Sequence, residues 1–139
     1  MSDEMNDWNA KIMAEFRANG GKVAEFGDAP LLILHSTGRK SGEERTSPLM
    51  YMALDGGSVA IFASKAGAPD NPDWYHNVLA DAAVTAELGT ETRAFTAREA
   101  LGDERTTIWE QQKIDYPQFA GYEVATDRVI PVVVLDPAS

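Results

Sequence analysis

Between two apolar runs lies Thr37-Gly38-Arg39-Lys40-Ser41-Gly42-Glu43-Glu44-Arg45, which gathers three of the chain's 12 Lys and Arg residues into one glycine-bracketed turn. The chain as a whole has 22 acidic residues and a formal charge of −10. A cationic turn in so acidic a background marks where an anionic ligand would dock. Backbone N–H groups freed by a glycine turn can point at a phosphate, and Arg can grip it in two places. Arg39, Lys40, Ser41 and Arg45 are the candidate anion contacts.

Three further segments carry groups suited to a flat ligand. Ser64-Lys65 precedes the small-residue run Ala66-Gly67-Ala68, which lets a ring approach the backbone, with Lys65 as a second positive contact. In Asn71-Pro72-Asp73-Trp74-Tyr75-His76-Asn77, Trp74 and Tyr75 could flank a ring and Asn77 could supply an amide. In Tyr116-Pro117-Gln118-Phe119-Ala120-Gly121-Tyr122, aromatics three apart share one face of a helical turn and could wall an apolar pocket.

Other chemistries are missing. The histidines, His35 and His76, are far apart and have no second ligand at metal spacing, so both are read as structural and no metal is expected. The chain has no cysteine, no G-x-S-x-G nucleophile elbow and no G-x-G-x-x-G after a strand. Gly38-Arg39-Lys40-Ser41 lacks the upstream glycine of a P-loop and leads into a strand. Chemistry borrowed from an organic cofactor is the better expectation. The acidic balance argues against nucleic acid and against anionic membrane surfaces. No apolar run approaches the roughly 18 to 20 residues of a membrane span, and the start, Met1-Ser2-Asp3-Glu4, is not a secretory signal. A cytoplasmic protein is expected.

The elements that must position these residues follow from pattern. At 139 residues and 44% apolar composition, one core suffices. Asn6 to Gly20 reads as a helix with Trp8, Ile12, Ala14 and Phe16, and Met5 beside them, near one face. Strands are expected at Leu31–Thr37, Thr46–Leu54, Ser58–Ser64, Ala83–Leu88, Thr92–Glu99 and Val129–Leu135, with Asp55-Gly56-Gly57 and Gly89-Thr90 as turns. A short helix starting at Asn71 or Pro72 carries Trp74, Tyr75, Val78 and Leu79, and a longer one spans Asp103 to about Ile114. Tyr116 to Tyr122 reads as a Pro-broken connection, and Pro131 suggests an edge strand or a bulge. About six mostly antiparallel strands are best closed as a small barrel. The fold expected is mainly β (α+β), with residues 1–28 as helix and linker and 29–139 as the barrel.

Several segments together resemble the deazaflavin-dependent nitroreductase family. They are Leu34 to Gly42, Arg45-Thr46-Ser47-Pro48-Leu49, Ala63 to Pro69, Asn71 to Asn77 and the closing Arg128-Val129-Ile130-Pro131-Val132, within a resemblance running from about Leu31 to Pro137. The resemblance implies a split β-barrel of the FMN-binding kind that holds coenzyme F420, a deazaflavin with a phosphate and an oligoglutamate tail. It implies that Arg39, Lys40, Ser41 and Arg45 meet the phosphate and tail. By the same resemblance Pro48, Leu49, Ser64, Lys65, Gly67, Trp74 and Asn77 line the cofactor. Tyr116 and Tyr122 match substrate-side tyrosines, and Phe119 stands where some members have a third Tyr. Ser64, Tyr116 and Tyr122 are the implied catalytic groups. The implied activity is transfer of a hydride from reduced F420 to a flat electron-poor acceptor: a quinone, an enone or a nitro compound. The alternatives are an FMN or haem-type ligand in the same barrel and a carrier of F420 or FMN without turnover. A homodimer is a further expectation, while the acidic start, with Asp3, Glu4 and Asp7, argues against a membrane contact through the N-terminal helix.

Overall fold

A computed structural model describes residues 3–27 and 29–138. The side chains of Asp3, Glu4, Met5 and Asp7 lie outside the described residues, as does Asp28, where the expected division of the chain falls. The elements are α1 (Asp3–Ala18), β1 (Leu31–Thr37), β2 (Glu44–Ala53), β3 (Val59–Phe62), α2 (Asp73–Ala80), β4 (Ala83–Leu88), β5 (Glu91–Glu99), α3 (Gly102–Asp115), α4 (Gln118–Ala125) and β6 (Val132–Pro137). All strand pairs are antiparallel, and the sheet closes in the order β1-β2-β3-β6-β5-β4. Closure leaves no edge strand, as the sequence predicts.

Alternation sorts each strand between two faces. Leu32 and Leu34 of β1, Val59 and Ile61 of β3, and Val133 and Leu135 of β6 fill the barrel interior with Val84, Ala86, Phe95 and Ala97. Their neighbours point outward into two satellite clusters. Leu31 and Ile33 pack under α1 with Ile12, Phe16 and Val23. Ala60, Phe62, Val132 and Val134 pack under α3 and α4 with Ile108, Trp109 and Phe119. Burial on both faces explains why Val132-Val133-Val134-Leu135 is a continuous apolar run.

Two expectations are corrected. Tyr116 to Tyr122 is not an irregular connection: Gln118–Ala125 is helical, and Pro117, already in the α region at φ −57, sits just before its first turn. Proline is tolerated there because the N–H it lacks would be unpaired anyway. Pro131 marks neither an edge nor a bulge. It is buried immediately ahead of β6, and its carbonyl accepts a hydrogen bond from Ala63 N–H at 3.0 Å. The strand therefore begins at Val132 rather than Val129.

Helix α1 is fastened to the barrel by charge as well as by Ile12 and Phe16. Arg17 donates two hydrogen bonds to the Glu87 carboxylate, at 3.0 and 2.7 Å. His35, on the outer face of β1, sets Nε2 at 2.6 Å from Glu87 and Nδ1 at 3.2 Å from Glu44. These contacts tie the β1 histidine to carboxylates of β2 and β4. The Arg17 hydrogen bonds, followed by the His35 contact, hold the Glu87 carboxyl down at about 2 against the pull of burial. Because the folded-state value lies below the unfolded one, this contribution is complete above the ordinary carboxylate range and is lost as pH falls toward 2. Glu87→Gln should cost on the order of 1–2 kcal/mol at pH 7, a figure reduced for the half-exposed Arg17. Urea unfolding at pH 7 and pH 3 should show the gap between variant and parent shrink at the lower pH.

Candidate cofactor site

The cationic turn is built by glycine geometry. Gly38 N–H donates to Glu43 C=O and Gly42 N–H to Gly38 C=O, both at 2.8 Å, with Gly42 at φ +75. Gly38 leaves no room for a side chain: a Cβ there would stand 2.8 Å from Ser41 Oγ and 3.1 Å from Arg45 Nε. That close approach lets Arg45 fold back, so that its Nη2 donates to Ser41 Oγ at 3.2 Å beside the N–H of Glu43 at 3.1 Å.

The three cations of the turn are not equivalent. Arg39 is committed inward: its N–H and its Nη1 both donate to Asn77 Oδ1, at 3.1 and 3.0 Å, and Nη2 lies 3.8 Å from the Asp73 carboxylate. Arg45 is half-exposed, with Glu43 at 3.9 Å. Lys40 is exposed and has no ion pair or hydrogen bond among the described residues. Two cations thus face solvent while the third ties the turn to α2.

Helix α2 divides its side chains between two tasks. Trp74, Tyr75 and Val78 join the barrel-interior cluster, which makes the two aromatics core anchors. The Tyr75 hydroxyl donates to Glu99 at 2.7 Å; burial first, then this carboxylate, pushes it up to about 12. It is a structural hydroxyl rather than a proton donor. Asn77, also buried, reaches back to Arg39 and joins two segments that are remote in sequence.

The closed barrel has a short seam between β2 and β3. Strand β2 pairs with β3 only at Tyr51↔Ile61, Met52↔Ala60 and Ala53↔Val59. Continued past Tyr51, that register would set Leu49 opposite Ala63 and Pro48 opposite Ser64, but the ladder stops. On its other side β2 stays paired to β1, with Pro48↔Ile33 and Leu49↔Leu32. A proline costs no ladder bond on a flank that has no partner. The split therefore runs between Pro48 and Leu49 on one strand and the loop entered through Ser64 on the other.

That loop has an unusual backbone. Lys65 is the one non-glycine residue at positive φ (+46) among the described residues, and Gly67 lies at φ +82. Lys65 Nζ pairs with Asp70 at 3.6 Å. Ser64 is nearly buried, and its hydroxyl makes no hydrogen bond among the described residues. A Cβ on Gly67 would stand 3.0 Å from Ala125 Cβ and 3.1 Å from Tyr122 O, so the loop lies directly against α4. Tyr116 and Tyr122 are half-buried against the outer cluster. Phe119 is buried there edge-on to Phe62 at 5.6 Å and to Tyr122 at 5.1 Å, beneath Tyr122 rather than in front of it.

The structure thus links Arg39 to Asn77, the Ser64 carbonyl to Arg128, and Gly67 to Tyr122. One residue had no role assigned from sequence: Arg128, which reaches into the Ser64 loop from the α4–β6 connection. Its sequence signals are its place at the head of the closing segment of the resemblance and its position as a cation ahead of a buried apolar run. Among the described residues no group of three or more His, Asp and Glu side chains could hold a metal.

A closed six-stranded antiparallel barrel with a cationic glycine turn between β1 and β2 and helices packed outside defines a small split-barrel protein. The profile of the F420H(2)-dependent quinone reductase family matches residues 8–137, and the chain belongs to this family. An F420H(2)-dependent quinone reductase of Mycobacterium tuberculosis is 35% identical over 127 residues, covering 88% of this chain and 85% of that protein. The solved F420-H2 dependent reductase FDR-A is 40% identical at TM-score 0.69, covering 77% of this chain and 94% of its own. A structure described as a domain-swapped dimer is 36% identical at TM-score 0.71, covering 95% and 99%. The protein is accordingly an oxidoreductase whose cofactor is coenzyme F420.

The residues present suit that cofactor. Lys40 and Arg45 are exposed cations of the kind an anionic tail needs, and the Ser64 hydroxyl has no hydrogen-bond partner among the described residues, while the side of Gly67 that a side chain would occupy is filled by Tyr122 and Ala125 of α4.

Proposed function

We propose that the protein reduces a flat, electron-poor acceptor, a quinone first and an enone or nitro compound as alternatives, at the seam between Pro48 and Ser64. The observation that supports this reading is the short β2–β3 ladder, which stops at Tyr51↔Ile61 and leaves Pro48 and Leu49 unpaired on that side. Lys40 and Arg45 bind the phosphate and tail, while Arg39, held by Asn77, and Ser41 keep the turn in shape. Pro48, Leu49, Lys65, Gly67 and Asn77 border the ring, with Trp74 setting α2 from the core side. F420H2, when bound, supplies a hydride. A quinone that accepts it needs one proton to become the hydroquinone, and the Tyr116 or Tyr122 hydroxyl relays that proton from solvent. Phe119, beneath Tyr122, has no hydroxyl to offer.

The test is steady-state oxidation of F420H2 by menadione, with FMN titrated beside F420 as the competing ligand. Turnover is expected, and Tyr122→Phe should lower kcat about tenfold or more. F420 binding without turnover on any quinone, enone or nitro compound would mark a carrier and overturn the proposal.

Self-association as a homodimer belongs to the same reading, supported by the relative described as a domain-swapped dimer. So does a cytoplasmic location. No described helix is long and apolar enough to cross a membrane.

A further inference from the structure

Among the described residues, the side chain with the most hydrogen bonds to one irregular segment is Arg128. Nε donates to Ala68 C=O at 3.0 Å, Nη2 to Ser64 C=O at 2.9 Å, and Nη1 to both Ala63 C=O at 3.1 Å and Asn71 Oδ1 at 2.6 Å. All four acceptors belong to the continuous stretch from Ala63 to Asn71, so the chain is wrapped around one planar cation. The same stretch holds Lys65 in the left-handed region at φ +46, a conformation a β-carbon disfavours and which persists only when its surroundings over-determine it. The internal bonds of the loop are few. Gly67 N–H donates to Ser64 C=O at 2.8 Å and Ala68 N–H to Lys65 C=O at 3.0 Å. Those bonds close one turn but do not fix where the turn points.

Arg128 fixes that direction, because its own position is set from elsewhere. It follows α4, whose Tyr122 backbone lies against Gly67, and it precedes Ile130, whose carbonyl accepts from Arg105 Nη2 at 2.6 Å. The loop is held from two sides by one connection, through Gly67 against α4 and through the guanidinium fan. Lysine cannot reproduce this, since a point charge on a flexible stem lacks the rigid fork that reaches four separated acceptors.

We propose that Arg128 is a positioning residue of this reductase: it holds Ala63–Asn71 in the shape that turns Ser64 out of the β3 ladder and seats Gly67 against Tyr122. The proposal rests on the site described under the proposed function, and it concerns geometry, since Arg128 touches neither tail nor acceptor. The cations that meet the tail belong to a separate turn held by Asn77. Loss of Arg128 therefore affects the placement of the reacting groups more than affinity.

The experiment compares Arg128→Lys, Arg128→Ala and the milder Asn71→Ala with the parent, first without ligand. Amide hydrogen exchange at Gly67 and Ala68 should quicken at least about tenfold in Arg128→Lys and less in Asn71→Ala, while β1 and β6 amides keep their protection. Guanidinium ion added to Arg128→Ala should restore part of that protection, and methylammonium should not. In turnover, Arg128→Lys should lose about tenfold or more in kcat while the Kd for F420 changes less than about threefold. Unchanged exchange at Gly67 and Ala68 in a folded Lys variant overturns the proposal. So does a uniform loss of protection across the barrel with kcat and F420 affinity falling in parallel, the pattern of a purely structural residue. If Arg128→Lys does not fold, Asn71→Ala decides on the same readout. A parent protein that fails to turn over F420H2 sinks the functional reading, while the exchange result still decides whether Arg128 holds the loop.

Discussion

Replacing Lys40 and Arg45 together with alanine is expected to weaken F420 binding by roughly 30-fold at low ionic strength, about 1 kcal/mol for each exposed charge-assisted contact. The expectation follows from the unequal state of the three cations. The Arg39 guanidinium is already spent on Asn77 and Asp73, so its removal would mix lost charge with a loosened turn. Lys40 has no such commitment, and Arg45 shares only the Ser41 hydroxyl and a distant Glu43. Their loss should leave the turn standing, because Gly38 and Gly42 close it through backbone bonds. The gap should narrow to a few-fold near 1 M salt, where the screening length is about 3 Å. Equilibrium titration of F420 at both salt concentrations is the check. Affinity unchanged in the double variant at low salt would end the assignment of the tail to this turn.

Gly67→Val should remove turnover almost entirely while leaving the barrel folded. Two independent penalties fall on this position. The backbone stands at φ +82, which a β-branched residue resists. The new β-carbon would also meet Tyr122 O at 3.1 Å and Tyr122 Cα at 3.2 Å, which are backbone atoms of a helix and cannot swing aside. Relief requires the loop and α4 to part. A displacement of about 1 Å between reacting groups can cost on the order of a hundredfold in rate. The expected result is a fall of that size in kcat, with far-UV circular dichroism preserved and the melting temperature lower by several degrees. Gly67→Ala, with a smaller group, should sit between parent and Val. Turnover by the Val variant within threefold of the parent would show that the contact between loop and helix does not set the site.

Much of the barrel was legible because its signals are local. Leu31–Thr37 and Ala83–Leu88 end where a glycine turn or a polar pair stops them, and the structure keeps those limits. Helix α4 was not legible, because Pro117 and Gly121 read as breakers, yet one sits before the first turn and the other is exposed on the helix surface. Pro131 misled for a similar reason: its missing N–H falls ahead of the ladder rather than within it. The site divides along the same line. The cationic turn announced itself by composition, and the resemblance named Ser64, Gly67 and Asn77. That Arg39 is held by Asn77, that Trp74 serves the core, and that Arg128 organises the loop all depend on contacts between segments 34 to 65 residues apart. No local pattern reports such distances. Nor could the short β2–β3 seam be seen, since strand lengths say nothing of where a ladder stops.

The position of β6 has a consequence for the order of events as the chain folds. Its partners are β3 and β5, so Val59 meets Leu135 and Glu99 meets Val133 only when the last strand arrives. Until then the early strands form an open sheet, and the loop after β3 has neither the Pro131 carbonyl that receives Ala63 nor the guanidinium that precedes β6. Pairings of such long sequence separation form late, because loop closure must come first. The segment that shapes the candidate cofactor site is thus completed in the same step that seals the barrel.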